Sequence, residues 1–209
     1  MRVSGLDEVR RAATAAPLLF LGNHTAWWDA LVVFHLFRTE LGLDTIALMD
    51  AVNLRRAPFF TRIGGFGVER DDPRDVLRAL RHAARHLDRP GRAVVVFPQG
   101  RERPITARPL GFQRGAERLA AMSRGGAAIV PFALRYEHGA VERPVAHVAL
   151  GAPRLDGPGT EEVEREVTRL LDGIDQALVE GDTAQLPTLW QPSGQEPLAT
   201  RLLARLTRT

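Results

Sequence analysis

Short apolar runs alternate with amphipathic segments along most of the chain. Runs of about four to eight residues that are rich in branched and aromatic side chains predict buried β-strands. Such runs lie at residues 18–21, 45–49, 66–69, 93–97, 128–134 and 145–150. Because strands and helices alternate, the pattern predicts an α/β fold with a mostly parallel central sheet flanked by helices.

The clearest helical pattern begins at Asp72, which suits an N-cap, and Pro73 suits the first helical position. The apolar residues predicted to face the core are Val76, Leu77, Leu80, Ala83, Ala84 and Leu87. The opposite face is predicted to be solvated, and it carries Arg78, Arg81, His82, Arg85 and Arg89.

Glycine and proline at residues 157–159 separate a core of about residues 17–155 from the C-terminal part of the chain. A helix is predicted at residues 160–179, an irregular connector at 187–197 and a short basic amphipathic helix at 198–208. We expect one domain over residues 1–209, with C-terminal helices at about 160–209. The last helix either docks on this domain or binds a lipid interface.

Composition narrows the class of protein. The chain has 209 residues, of which 44% are hydrophobic and 25% charged, as in ordinary globular domains. It has no cysteine, which excludes disulfides and thiolate metal sites. Asp7, Glu8 and Arg10 stand where a secretory signal needs apolar residues. No apolar run approaches the roughly 20 residues of a membrane span, so we expect no such span.

The charge does not favour nucleic acid as a partner. The sequence pI is about 10.6, yet the formal net charge is only +3. Every basic residue is arginine, so few groups titrate between histidine and about pH 12, and the pI drifts upward. A modest excess of arginine still favours phosphates or acidic lipid headgroups, which its planar fork binds through two bonds.

The candidate chemistry begins at His24, a few residues after the first apolar run, with Asp29 five residues later. A histidine can accept a proton near neutral pH, and a carboxylate on its second nitrogen fixes the tautomer. No serine lies in a Gly-x-Ser-x-Gly motif. A base without a protein nucleophile predicts that the substrate supplies the hydroxyl.

Two arginine-containing turns follow predicted strands, and the carboxyl ends of parallel strands meet at one edge of the sheet. Ligands of open α/β sheets bind outside that edge, where His24 is also expected. One is the glycine-rich turn that ends at Arg70, and the other follows the strand at residues 93–97. The candidate substrate-binding residues at these turns are Arg70, Phe97, Pro98, Gln99, Gly100, Arg101 and Arg103.

These pieces occur in an order that resembles the glycerophosphate and lysophosphatidic acid acyltransferase superfamily. Residues 24–29 match its H-x-x-x-x-D block and residues 64–70 its G-x-x-x-x-x-R block. Residues 97–100 resemble its Phe-Pro-Glu-Gly block, and residues 129–132 its apolar block with proline, which adds Pro131 to the candidate substrate-binding residues. The resemblance covers about residues 17–135 and includes a helix start at 112–116. It implies a single-domain acyltransferase fold.

The resemblance also implies a reaction. His24 would deprotonate an acceptor hydroxyl that attacks the thioester of acyl-CoA or acyl carrier protein, while Asp29 orients the ring. Amide groups at the nearby helix start would stabilise the oxyanion. No cofactor or metal is expected, and the acceptor would be a lysophospholipid-like or other amphiphilic lipid of phospholipid biosynthesis. The enzyme would be cytoplasmic and peripheral to the inner face of the cell membrane.

The third block departs from the family pattern at two positions. Gln99 replaces a glutamate, and Glu102 replaces an arginine that the family associates with the acceptor's phosphate. A carboxylate there would repel a phosphate unless Arg101 or Arg103 compensates. A glycosylated or otherwise phosphate-free acceptor therefore stays open.

Other interpretations of the function stay open or are disfavoured. The acceptor could be a soluble polyol, or the protein could be an inactive lipid-binding relative, which Gln99 makes conceivable. Nucleic-acid binding is disfavoured by the small, dispersed charge. Metal-dependent hydrolysis is disfavoured because the six histidines lack ligand spacing. Trp27 and Trp28 suit either a core wedge or the edge of an acyl tunnel.

Overall fold

A computed structural model describes residues 1–138, 144–182 and 186–189. The strands are β1 Arg2–Ser4, β2 Leu18–Gly22, β3 Asp44–Asp50, β4 Gly65–Val68, β5 Arg92–Val96, β6 Ala128–Glu137 and β7 Val145–Leu150. The helices are α1 Leu6–Ala15, α2 Asp29–Phe34, α3 Ala51–Arg56, α4 Phe59–Arg62, α5 Pro73–His86, α6 Ala116–Met122 and α7 Thr160–Glu180. A π-helical stretch, His35–Glu40, continues α2.

The seven strands form one sheet in the order β1-β7-β6-β2-β5-β3-β4. Every neighbouring pair is parallel except β6 and β7, which are antiparallel. The predicted α/β fold with a mostly parallel sheet and flanking helices is confirmed. All six predicted strands are present, with ends within a few residues of the predicted ones.

The central strands are apolar throughout because helices cover both faces of the sheet. Leu18 and Phe20 of β2 face one buried cluster, together with side chains of α1 and α2. Leu19 and Leu21 face a second cluster, which α5, α6 and α7 cover. The last residue of β2 is Gly22, and only glycine fits there, because a Cβ atom would lie 2.4 Å from the ring of Phe132.

Two features of the fold differ from what the sequence predicted. The three-residue strand β1 was not predicted; it pairs with β7, with Arg2 opposite His147. Leu77 was predicted to face the core, but it is 41% exposed, whereas Asp75 is buried. The Asp75 carboxylate accepts a hydrogen bond from the Glu69 backbone N–H at 2.6 Å, and this turns α5 so that Asp75 faces inward.

Helix α7 confirms the helix predicted at residues 160–179. The predicted basic helix at 198–208 and most of the connector at 187–197 lie outside the described residues. The single-domain organisation of residues 1–209 therefore stays a prediction. Within the described part of the chain, none of the helices has both the length and the apolar character needed to span a bilayer.

Candidate active site

His24 stands at the carboxyl end of β2, where the chain leaves the sheet. The preceding residue, Asn23, is buried, and its side chain bonds both backbone polar groups of Leu134. Its amide nitrogen donates to the carbonyl at 2.9 Å, and its oxygen accepts from the N–H at 2.8 Å. Asn23 thereby ties the loop that carries His24 to β6.

His24 and Asp29 are in direct contact. Nδ1 of His24 donates to Oδ2 of Asp29 at 2.7 Å, so Nε2 is left as the proton acceptor. The Asp29 side chain has no exposed surface, while that of His24 is 20% exposed. A paired imidazole that still reaches solvent is the arrangement a general base needs.

Three further donors hold the Asp29 carboxylate. Oδ2 accepts from the backbone N–H groups of Thr25 at 2.6 Å and Ala26 at 3.0 Å. Oδ1 accepts from the hydroxyl of Tyr136 at 2.8 Å. The Thr25 and Ala26 amides are thus committed to Asp29. From the sequence, amide groups near this helix start are expected to stabilise an oxyanion. Those of Thr25 and Ala26 donate to the Asp29 carboxylate instead.

Tyr136 is a site residue that the sequence reading missed. Burial, and then the negative charge of Asp29, raise the pKa of Tyr136 well above its ordinary value. The phenol therefore stays protonated and keeps donating to Asp29. The predicted strand ended at residue 134, but β6 continues to Glu137, and only that extension brings Tyr136 to Asp29.

The loop after β5 closes over one side of the His24 ring. Phe97 stacks on the imidazole with ring centroids 4.5 Å apart and an interplanar angle of 20°. The chain then turns, with the Gly100 N–H bonded to the Phe97 carbonyl at 2.9 Å and a Gly100 φ of +67°. Arg70 donates to the Gly100 carbonyl, so the two predicted arginine turns do meet.

Gln99 bridges two backbone segments. Its Oε1 accepts from the His24 N–H at 2.5 Å, and its Nε2 donates to the Leu110 carbonyl at 3.1 Å. The residue is only 4% exposed. A glutamine suits this position because one end faces a donor and the other an acceptor. These contacts make Gln99 a positioning residue; its predicted role in binding substrate stays a prediction.

The charged residues of the same loop differ in what they contact. Arg103 is bonded to backbone: Nη1 donates to the carbonyls of Pro109 at 3.1 Å and Leu110 at 2.5 Å. Arg101 is exposed. Oε1 of Glu102 lies 3.9 Å from Nε2 of His24, which makes it a charged neighbour of the proposed base.

Pro131 is not brought to this cluster. Side chains alternate along β6, so Pro131 points to the face opposite Phe132, whose ring packs near Phe97. It lines a cavity of about 500 Å³ beside α7, together with Ala152, Arg154, Pro158, Glu162, Val163, Arg165, Glu166 and Arg169.

Pro98, in contrast, belongs to the loop after β5. Its carbonyl accepts a hydrogen bond from the Gln113 N–H at 2.9 Å, which ties that loop to the segment before α6.

The described residues contain no group of three or more His, Asp or Glu side chains placed to hold a metal ion. The site is instead a set of polar side chains and arginines at the carboxyl ends of β2, β4 and β5, with a histidine and aspartate at its centre. Open α/β proteins of this class bind their ligands in the crevice at the carboxyl ends of the strands.

The sequence model of the acyltransferase family matches residues 1–135. The chain belongs to this family of glycerophosphate and lysophosphatidic acid acyltransferases, and it is an acyl-transferring enzyme. The match contains every predicted site residue, whereas Tyr136 lies one residue beyond it. No curated protein matches the chain at a significant level.

Proposed function

We propose that the enzyme moves a fatty acyl group from acyl-CoA or acyl carrier protein to a hydroxyl of a lysophospholipid-like or other amphiphilic lipid, with His24 as general base. The observation that carries this proposal is the state of the imidazole. Its Nδ1 is held by a buried carboxylate, and the ring remains partly exposed, so Nε2 can meet a hydroxyl from outside.

The proposed step needs no acyl-enzyme. The acceptor oxygen attacks the thioester carbonyl as its proton passes to Nε2 of His24, which forms a tetrahedral intermediate. Collapse of the intermediate breaks the carbon–sulfur bond and forms the ester. The leaving thiolate then takes the proton from the imidazolium, so His24 is returned to its starting state. Asp29 stabilises the imidazolium while it exists.

The positions of Thr25 and of the two described serines support direct transfer. The Thr25 hydroxyl, next to His24 in sequence, is buried away from solvent. Ser123 follows α6, and its hydroxyl accepts from the Ala127 N–H at 3.1 Å. Ser4 lies in β1, at the edge of the sheet. The third serine, Ser193, lies outside the described residues.

The test is a transfer assay with the full chain, labelled acyl-CoA and total lipid extract, read by mass spectrometry for the lipid that gains the acyl chain. His24→Ala should lower kcat by roughly 10²- to 10⁴-fold, which is the contribution of a general base. His82→Ala is the matched control, since His82 is an exposed histidine on α5. Equal rates in the two variants would refute His24 as the base.

A second candidate acceptor is phosphate-free, for example glycosylated, and Glu102 favours it. Its carboxylate lies beside Nε2 of His24, where the acceptor hydroxyl must enter. At about 6 Å, each negative charge of a phosphate would be opposed by roughly 1 to 3 kcal/mol, depending on solvent screening. Arg70 and Arg103 are both bonded to backbone carbonyls rather than to Glu102.

Replacing Glu102 by arginine tests the choice of acceptor. In Glu102→Arg, we expect the ratio of kcat/KM for lysophosphatidic acid to that for monoacylglycerol to rise by at least about tenfold, with Glu102→Gln between. Glu180→Arg, at the exposed end of α7, controls for the change in net charge. An unchanged ratio in Glu102→Arg would remove the phosphate-free candidate's support.

The proposed partners follow from the reaction: acyl-CoA or acyl carrier protein as the donor, and a lipid acceptor in a membrane surface. No cofactor and no nucleic acid are part of the proposal. A cytoplasmic enzyme at the inner face of the cell membrane would meet both substrates, because the donor is soluble and the acceptor is amphiphilic. Arginine-rich surfaces suit the anionic lipids of that face.

A further inference from the structure

Two tryptophans lie on the surface in the loop between His24 and Asp29. Trp27 is 52% exposed and Trp28 is 53% exposed, and their rings stack with centroids 4.1 Å apart. About half of the surface of each tryptophan therefore meets solvent beside the site. Tryptophan combines an apolar body with one N–H donor, which suits a boundary between water and hydrocarbon.

A second exposed apolar region lies on α3 and α4. Val52 is 41% exposed and Phe59 is 43% exposed. Residues 51–63 contain three arginines and no acidic residue. Arg55 pairs with Glu69, whereas Arg56 and Arg62 are exposed and make no ion pair within the described chain. The carboxylate of Asp50, just before this range, accepts from the Val52 N–H at 2.8 Å, so the region combines apolar side chains with two arginines that make no ion pair among the described residues.

The two regions lie on the same side of the sheet. Phe60 of α4 is buried in the core cluster that also contains Ala30 and Phe34 of α2. The π-helical stretch after α2 reaches the end of α4, where Arg38 donates to the Ile63 carbonyl at 2.7 Å. The tryptophan loop and α4 are therefore held to one body of packed side chains.

We propose that Trp27, Trp28, Val52, Phe59, Arg56 and Arg62, here called the aromatic–arginine surface, dock the enzyme on a bilayer that contains anionic lipids. The tryptophans and Phe59 would enter the headgroup region, and the arginines would meet lipid phosphates. The proposal rests on the proposed function in one respect: docking at this surface brings His24 next to the layer that holds an amphiphilic acceptor.

The charge and the aromatic content together favour a bilayer over other occupants. A membrane interface accepts half-buried indole rings, and its anionic headgroups match the unpaired arginines. An acidic carrier protein would also suit the arginines, and it is the competing occupant in the test. Two of the most exposed apolar side chains, Leu155 and Val179, lie instead in the loop after β7 and on α7.

The test measures co-sedimentation of the full chain with vesicles of phosphatidylcholine alone and of equimolar phosphatidylcholine and phosphatidylglycerol. We expect binding to the mixed vesicles and a blue shift of tryptophan emission. Arg56→Gln with Arg62→Gln should lower the partition coefficient about fivefold for each arginine. Phe59→Ser should lower it by about tenfold or more through lost apolar burial.

Matched variants away from the surface provide the control. Leu155→Ser with Val179→Ser, and Arg118→Gln with Arg165→Gln, should bind the mixed vesicles as the parent chain does. The proposal is overturned if these controls lose as much binding as the surface variants, or if the surface variants bind normally. It is also overturned if the surface variants lose affinity only for acyl carrier protein.

The readout is separate from catalysis. Vesicle binding needs no acyl donor, so it can be positive even if no acyl transfer is found, which would sink the proposed function alone. The converse outcome is that Phe59→Ser transfers an acyl group to a water-soluble acceptor and still binds vesicles as the parent chain does. That result would refute the docking proposal and leave the proposed reaction supported.

Discussion

Asp29 accepts four hydrogen bonds and has no exposed surface. Two of the donors are backbone amides of the adjoining loop, one is the imidazole of His24 and one is the phenol of Tyr136. A buried carboxylate with this many donors is fixed in direction. The orientation of the His24 ring is therefore set by Asp29 and by the groups that hold its carboxylate.

Tyr136→Phe removes one of these donors and leaves the rest of the side chain in place. The Asp29 carboxylate then loses one of the bonds that fix its direction and that of the His24 ring, so we expect kcat to fall several-fold. KM should change little, because the phenol contacts Asp29 and not the acceptor. With one donor fewer, Asp29 stabilises the imidazolium more strongly, so the acid limb of the rate profile should move to higher pH.

The measurement is kcat and KM as functions of pH for the parent chain and Tyr136→Phe. A purely structural role would lower the amount of folded enzyme without moving the profile. An unchanged profile together with unchanged kcat would show that Tyr136 does not act through Asp29.

At the scale of elements, helix α7 lies beyond the residues that the family model matches, yet it contacts a loop of the candidate active site. The Glu164 carboxylate accepts from the backbone N–H groups of Gly111 at 2.7 Å and Phe112 at 3.0 Å. The adjoining Leu110 carbonyl in turn accepts from Gln99 and Arg103. A helix that follows the matched region thus holds the segment on which the Gln99 bridge depends.

Glu164→Ala should therefore lower both stability and activity. Two hydrogen bonds to a carboxylate are lost, so unfolding by urea should cost about 1 to 3 kcal/mol less, and kcat/KM should fall several-fold. Glu161→Ala is the control, because its contact with Arg114 is a solvent-exposed ion pair, of a kind worth less than about 1 kcal/mol. Equal effects of the two substitutions would contradict the role given to Glu164.

At the scale of the whole molecule, stability should depend on pH through His147. Burial, and then the nearby charge of Arg2, lower the pKa of this histidine. In the unfolded chain its pKa returns to about 6.5, so below that pH the unfolded state binds a proton that the folded state does not. The free energy of unfolding should then fall, by up to about 1.4 kcal/mol for each pH unit, as pH drops from 6.5 toward the folded-state pKa.

His147→Gln removes this group, and the comparison isolates its share from that of the carboxylates. We expect the difference in unfolding free energy between pH 7 and pH 5 to be smaller in the variant than in the parent chain. His82→Gln, on an exposed face of α5, should leave that difference unchanged. If His147→Gln retains the full pH dependence, the neutral buried histidine is not its source.

The strands were predictable because burial on both faces leaves apolar runs that the sequence shows directly. The three residues of β1 give no such run, and their pairing with β7 was visible only in the sheet. The spacing of His24 and Asp29 was also visible, since five residues suffice for one loop to bring them together. Leu77 was placed wrongly because the Asp75 carboxylate, bonded to the preceding loop, sets the rotation of α5.

The sequence by itself determined six of the seven strands, helices α5 and α7, the histidine–aspartate pair and the absence of a thiol nucleophile, because these depend on local pattern and composition. The tertiary structure decided that Tyr136 supports Asp29, that Gln99 bridges to Leu110 and that Glu102 stands beside His24. It also separated Pro131 from the cluster. These contacts join residues far apart in sequence, and strand order, register and loop packing set them together.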